Sequence, residues 1–271
     1  MEISEISGDN RTLEGLTPLV SAHRDTGNGF YLTARHYASG DVEITALKLD
    51  SEDSLKRGGG AKRENKKKSE MSEPVLKKSI QRAKTMIRRK VKEMMADRML
   101  TLTFRENVTD INVAWNCFHY FAKLLRKEFP DFQYVCVPEY QKRGAVHFHI
   151  AIKGYKNYNF VRKLWKRAVG QFDGNIDITD SRKAADKNSW NPRRIANYIA
   201  KYISKTEQAE FNRRRYSSGG KIVIPSPLTG WVAIGLPIMS VMGDILKKLT
   251  DEPVSQLWET EGYFFITYIS T

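Results

Sequence analysis

Residues 144–152, GAVHFHIAI, constrain the fold more than any other stretch of this chain. Apart from two histidines the run is apolar, and its length and composition read as a buried strand. Strand side chains alternate, so His147 and His149 share one face while Phe148 points to the other. A sheet that buries this strand must carry two polar rings on one side. Two imidazoles about 7 Å apart along a strand can bind a divalent metal once another ligand joins them. The alternative is a pair of hydrogen-bonded core histidines.

The surrounding pattern predicts what packs on that strand. Leu100, Leu102 and Phe104 alternate with Thr101 and Thr103 as a strand over 100–104. Asp110 or Asn112 can cap a helix running to about 128, with Val113, Phe118, Phe121, Leu124 and Leu125 as its apolar positions. Residues 132–138 form the next strand, and a turn at 141–144 joins it to the histidine strand as an antiparallel hairpin. A helix over 159–169 and a short strand over 174–179 follow. Asn191 and Pro192 then open a helix through about 205. This order predicts an α+β fold, an antiparallel β-sheet with helices packed on one face, ferredoxin-like or RRM-like.

Charge narrows the partner. The 271 residues carry a formal net charge of +14, which favours a polyanion over a neutral ligand. Residues 56–92 hold 15 basic and 3 acidic side chains, most of that excess. The sequence divides into a small β-rich segment (1–50), a basic linker with no apolar residues to pack and read as disordered (51–73), a basic helix (74–97), a compact domain (98–224) and a carboxy-terminal extension (225–271). Arg88 and Arg89 on the basic helix, and Arg213, Arg214 and Arg215 in a later turn, are candidate phosphate contacts; a solvated helix face and a plain basic loop are the alternatives. The apolar stretch 263–269 could complete a sheet or meet a second subunit. Two cysteines are too few for a disulfide framework and lack zinc-finger spacing, as expected of reduced thiols. The amino terminus is acidic and polar, unlike a signal peptide, and 231–246 is too short and interrupted for a membrane span. The expectation is a cytoplasmic protein that binds nucleic acid.

A second constellation lies on the helix after Pro192. Tyr198 and Tyr202 are one turn apart and share a face, and Tyr-x-x-Lys occurs twice, with Lys201 and with Lys205. An amphipathic stripe with Ile195 and Ile199 accounts for the spacing alone. The chemical alternative is nucleophilic. A phenol ionises near pH 10, so only about one in a thousand is phenolate at pH 7. Neighbouring ammonium groups favour the charged form, and a tyrosine so placed can attack a DNA phosphate.

Taken together, LTLTF (residues 100–104), His147-Phe148-His149 and the Tyr198/Tyr202/Lys205 helix resemble, in order, the motifs of the HUH endonuclease superfamily. The resemblance is to its rolling-circle replication initiators from bacterial plasmids and single-stranded DNA phages, in the paired-tyrosine form, and covers about 98–220. It implies a metal-dependent nickase that keeps the 5′ end of the cut strand on tyrosine while the 3′ hydroxyl primes synthesis. It also implies Mn²⁺ or Mg²⁺ on His147, His149 and an acidic residue, with Glu139 the candidate and Glu106 the second. The expected partner is single-stranded DNA at an origin. No GxxxxGK[ST] string is present, so a helicase, like the polymerase, is expected to be a separate host protein. A transposase or mobilisation relaxase, and a non-catalytic basic nucleic-acid-binding protein, are the rival readings.

Overall fold

The computed structural model describes residues 12–22, 28–49, 73–180, 192–203, 215–250, 256–260 and 263–268. The chain divides into two compact units, one from residues 66–224 and one from residues 1–65 together with 225–271. No described helix is long and apolar enough to cross a membrane.

A turn closed by Gly40, at φ 84, where only glycine sits without strain, folds β1 (Gly29–His36) onto β2 (Val42–Leu49). The hairpin pairs from Gly29↔Leu49 to His36↔Val42. Its alternation buries Phe30, Leu32, Ala34, Val42, Ile44 and Ala46 on one face.

The next elements build the second unit. The basic helix α1 (Glu73–Glu93) buries Ile87 and Val91 and leaves its charges on the other faces. Strand β3 (Arg98–Phe104) follows. Asp110 caps α2 (Ile111–Glu128), accepting the Asn112 backbone N–H at 2.7 Å. Strands β4 (Tyr134–Tyr140) and β5 (Val146–Ile152) form the expected antiparallel hairpin. Helix α3 (Tyr158–Val169), strand β6 (Gly174–Asp180), helix α4 (Pro192–Tyr202) and the three-residue β7 (Ser217–Gly219) complete the unit. The sheet order is β6-β3-β5-β4-β7, antiparallel throughout.

This is the α+β architecture read from the pattern, with one correction: helices cover both faces. On one side Phe148, Ile150 and Ile152 meet Phe118, Phe121 and Leu125 of α2 and Val161 and Trp165 of α3. On the other, Met99, Val135, Val137 and Ala151 are buried with Ile87 and Val91 of α1 and Ile195 and Ile199 of α4. The central strands are apolar at consecutive positions, so neither face can be left to water.

The chain then returns to the first sheet. Strand β8 (Leu228–Ala233) pairs with β1, and β10 (Tyr263–Tyr268), hairpinned to β9 (Gln256–Thr260), pairs with β2. Helix α5 (Ile238–Thr250) lays Val241, Met242, Ile245 and Leu246 on the apolar face of the hairpin. Residues 263–268 thus complete a sheet, and the two end segments form one unit. Linker residues 51–72, Asn191, Lys205, Arg213 and Arg214 lie outside the described residues.

Candidate active site

Register sets the side chains of the α1/α4 face in rows across β6, β3, β5 and β4. The row Thr179–Met99–Ala151–Val135 is followed by Asp177–Thr101–His149–Val137 and then by Asn175–Thr103–His147–Glu139. The face therefore grades from apolar beneath the helices to fully polar at one end, and the histidines stand in the polar rows.

Helix α4 brings the tyrosines to this boundary. Ile195, Ala196, Ile199 and Ala200 form its buried stripe, which leaves Tyr198 and Tyr202 on the flank beside β5. The Tyr202 ring stacks on His149 with centroids 4.2 Å apart and planes 6° from parallel. Tyr198 meets His149 edge-on at 5.9 Å and Tyr202 edge-on at 5.2 Å. Access separates the phenols: Tyr198 is 37% exposed and Tyr202 7%. Burial pushes the Tyr202 phenol above its ordinary value, helped by its hydrogen bond with Tyr198 and by the negative charge Tyr198 would carry. Tyr202 thus holds its proton and donates it towards Tyr198.

Glu139 sits opposite His147 in the register, yet its carboxylate leans to the next row. Its Oε2 lies 2.7 Å from His149 Nε2. Burial lowers both imidazoles to about 4, and His149 and Arg143 add to the effect at His147. Both rings are therefore neutral at pH 7, the state that ligates a cation. With Nε2 donating to Glu139, His149 Nδ1 is buried without a hydrogen-bond partner among the described residues.

Two neutral imidazoles and a carboxylate fit a divalent cation in kind. Glu139 and His149 already stand near the roughly 3 Å that separates two donors sharing one metal. Among the described residues, however, no three His, Cys, Asp or Glu side chains converge as a metal-holding group; His147 shares the face without closing the set. The other acidic candidate, Glu106, is exposed in the turn after β3, where it lines a cleft with Val108, Gln171 and Phe172. It is Glu139 that meets a histidine.

The basic candidates separate in the same way. Arg88 Nε donates to Asn197 Oδ1 at 3.1 Å, which ties α1 to the residue preceding Tyr198. Lys201 is exposed one turn beyond Tyr198, while Arg89 and Arg215 are half-buried. Sequence reasoning passed over Asn175 and Asp177, although the alternation in GNIDITD puts them on one face. It also passed over Arg143, whose place in a turn carries no periodic signal.

No curated protein and no solved structure matches the chain. Residues 97–207, about two fifths of the chain, match a family model. Through that stretch, which carries both histidines, Glu139 and both tyrosines, the chain is similar to the family of the replication-associated protein ORF2.

Proposed function

We propose that this chain is a site-specific single-stranded DNA endonuclease and strand transferase that starts rolling-circle replication. The family match supports a role in replication initiation. The observation that carries the finer reading is the packing of two phenols against a histidine that is itself joined to a carboxylate.

Tyr198 is the first nucleophile in this reading, because it is the phenol a DNA strand can reach. Its oxygen attacks the scissile phosphorus, a P–O bond forms to tyrosine, and the bond to the 3′ oxygen breaks. The phenolic proton leaves to solvent, and the departing 3′ oxygen takes one up. The hydrogen bond donated by Tyr202 stabilises negative charge growing on the Tyr198 oxygen. His147, His149 and Glu139 would hold Mn²⁺ or Mg²⁺, whose charge, when bound, polarises the phosphate and stabilises the leaving oxygen. The phosphodiester is exchanged rather than hydrolysed, so attack by Tyr202 or by a 3′ hydroxyl can reverse or pass on the link. Unwinding and synthesis fall to separate partners.

The test is covalent capture. Wild type, Tyr198→Phe, Tyr202→Phe and the double variant are incubated with a random single-stranded DNA pool and Mn²⁺, then denatured. Wild type and Tyr202→Phe should retain DNA by its 5′ end, and Tyr198→Phe and the double variant should not. Adduct formation by the double variant would remove the tyrosine assignment. A wild type that binds strands but never cuts them would make the chain a binding module.

A further inference from the structure

The turn between β4 and β5 carries a cation that the proposed chemistry leaves unused. Gln141 N–H donates to Ala145 O and Gly144 N–H to Gln141 O, both at 2.9 Å, so the turn is closed by its own backbone. Arg143 is not needed to close it. Its side chain reaches across to the end of β3 instead. Nη2 donates to Phe104 O at 3.0 Å, Nη1 to Arg105 O at 3.5 Å, and Nε to Gln141 Oε1 at 3.0 Å.

All three acceptors are neutral, and no carboxylate pairs with Arg143 among the described residues. The contrast is Arg105, two residues beyond Thr103, which pairs with Asp173 at 3.3 Å. A guanidinium has five N–H donors, and three are committed here. The remaining two, on an exposed side chain held at both ends, keep full charge and the fork that suits a phosphate. Position gives this meaning. Phe104 and Arg105 lie just past the Thr103↔His147 pair, at the polar end of the sheet. The charge of Arg143 also reaches His147, where it adds to burial in disfavouring the imidazolium.

We propose that Arg143 binds a backbone phosphate of the substrate strand beside the scissile one, on the His147 side of the site, so that the strand runs from the β4–β5 turn past the histidines to Tyr198. The inference rests on reading the site as one for single-stranded DNA.

The experiment uses the full chain in EDTA, so that binding is read without cutting. Affinity for an oligothymidylate is measured over a range of salt for wild type, Arg143→Gln and Arg143→Lys, with thermal midpoints alongside. Losing one phosphate contact should reduce the slope of log affinity against log salt by about 0.7 in Arg143→Gln. Arg143→Lys, which keeps the charge, should retain most of the slope. An unchanged slope in Arg143→Gln overturns the proposal, and with a lowered midpoint it makes Arg143 a brace for the β3 end. Covalent capture separates the two readings. Adducts with an unchanged slope remove only the role of Arg143. A reduced slope without adducts keeps the phosphate contact and removes the nickase. A wild type with no affinity for single strands removes both.

Discussion

His149 joins three things that a polar residue in a core seldom joins: a carboxylate on one ring nitrogen, a stacked phenol on its face and an unpartnered second nitrogen. Its protonation therefore couples to folding. Unfolded, both imidazoles titrate near 6.5; folded, burial holds them near 4. Between those values the unfolded chain takes up protons that the folded chain does not, so stability falls as pH drops through about 6.5 to about 4 and levels below. Thermal midpoints taken across that range should show the decline, and His149→Gln should flatten it. A midpoint indifferent to pH in wild type would mean that the rings are not buried as described. The same pair sets a second expectation. Mn²⁺ binding only the folded chain should raise the midpoint at neutral pH. Glu139→Gln, which replaces a charged donor with a neutral one, should weaken Mn²⁺ by roughly 10- to 100-fold in calorimetric titration. At this scale the sequence was legible where residue type and period coincide. His147 and His149 declare a shared face, and Tyr198 and Tyr202 a shared turn. The lean of Glu139 towards His149 rather than its register partner His147 is a matter of rotamer and left no trace in the pattern. Neither did the grip of Arg143 on two β3 carbonyls.

Elements were legible where one face differs from the other. Asp110 announces α2, and the Ile195/Ile199 stripe announces α4, because capping and amphipathic spacing are local. That helices cover both faces of the sheet was written less plainly, in the consecutive apolar residues of YVCVPEY on β4, which an alternating strand would lack. Strand β7 has three residues, too few for any period. The consequence for function lies in α4, which holds both phenols only as firmly as its buried stripe holds the sheet. Ile199 is fully buried there. Ile199→Ala should cost about 2–5 kcal/mol in chemical denaturation and reduce adduct formation with it, since the cavity lies beneath the tyrosines. Asp110→Ala removes a cap on the opposite face. It should cost about 1 kcal/mol and leave adduct formation intact. Equal loss of activity in both variants would mean that general stability, not the seat of α4, governs the site.

At the scale of the molecule, the site lies wholly within one unit, and the order of the chain hides the other. Strands from both ends share a sheet because β2 needs a neighbour on its outer edge, and β10 supplies it after more than two hundred residues. No local pattern records a pairing of that span. The boundary that matters for function is the start of the catalytic unit. The family match begins at residue 97, after α1, yet α1 contributes Ile87 and Val91, both fully buried, to the core beneath α4. Lys90 Nζ also donates to Ser218 Oγ of β7 at 2.6 Å, and Arg88 holds Asn197 of α4. The basic helix is therefore a wall of the site as well as a source of charge. A fragment of residues 66–224 retains both of its cores and should unfold cooperatively and form the adduct. A fragment of residues 98–224 keeps every histidine and tyrosine of the site but opens Val135, Val137 and Ile199 to water. It should lose fixed near-ultraviolet aromatic signal and adduct formation together. Should the shorter fragment nick as well as the longer one, α1 would be an appended arm, and its charge would serve only to gather DNA.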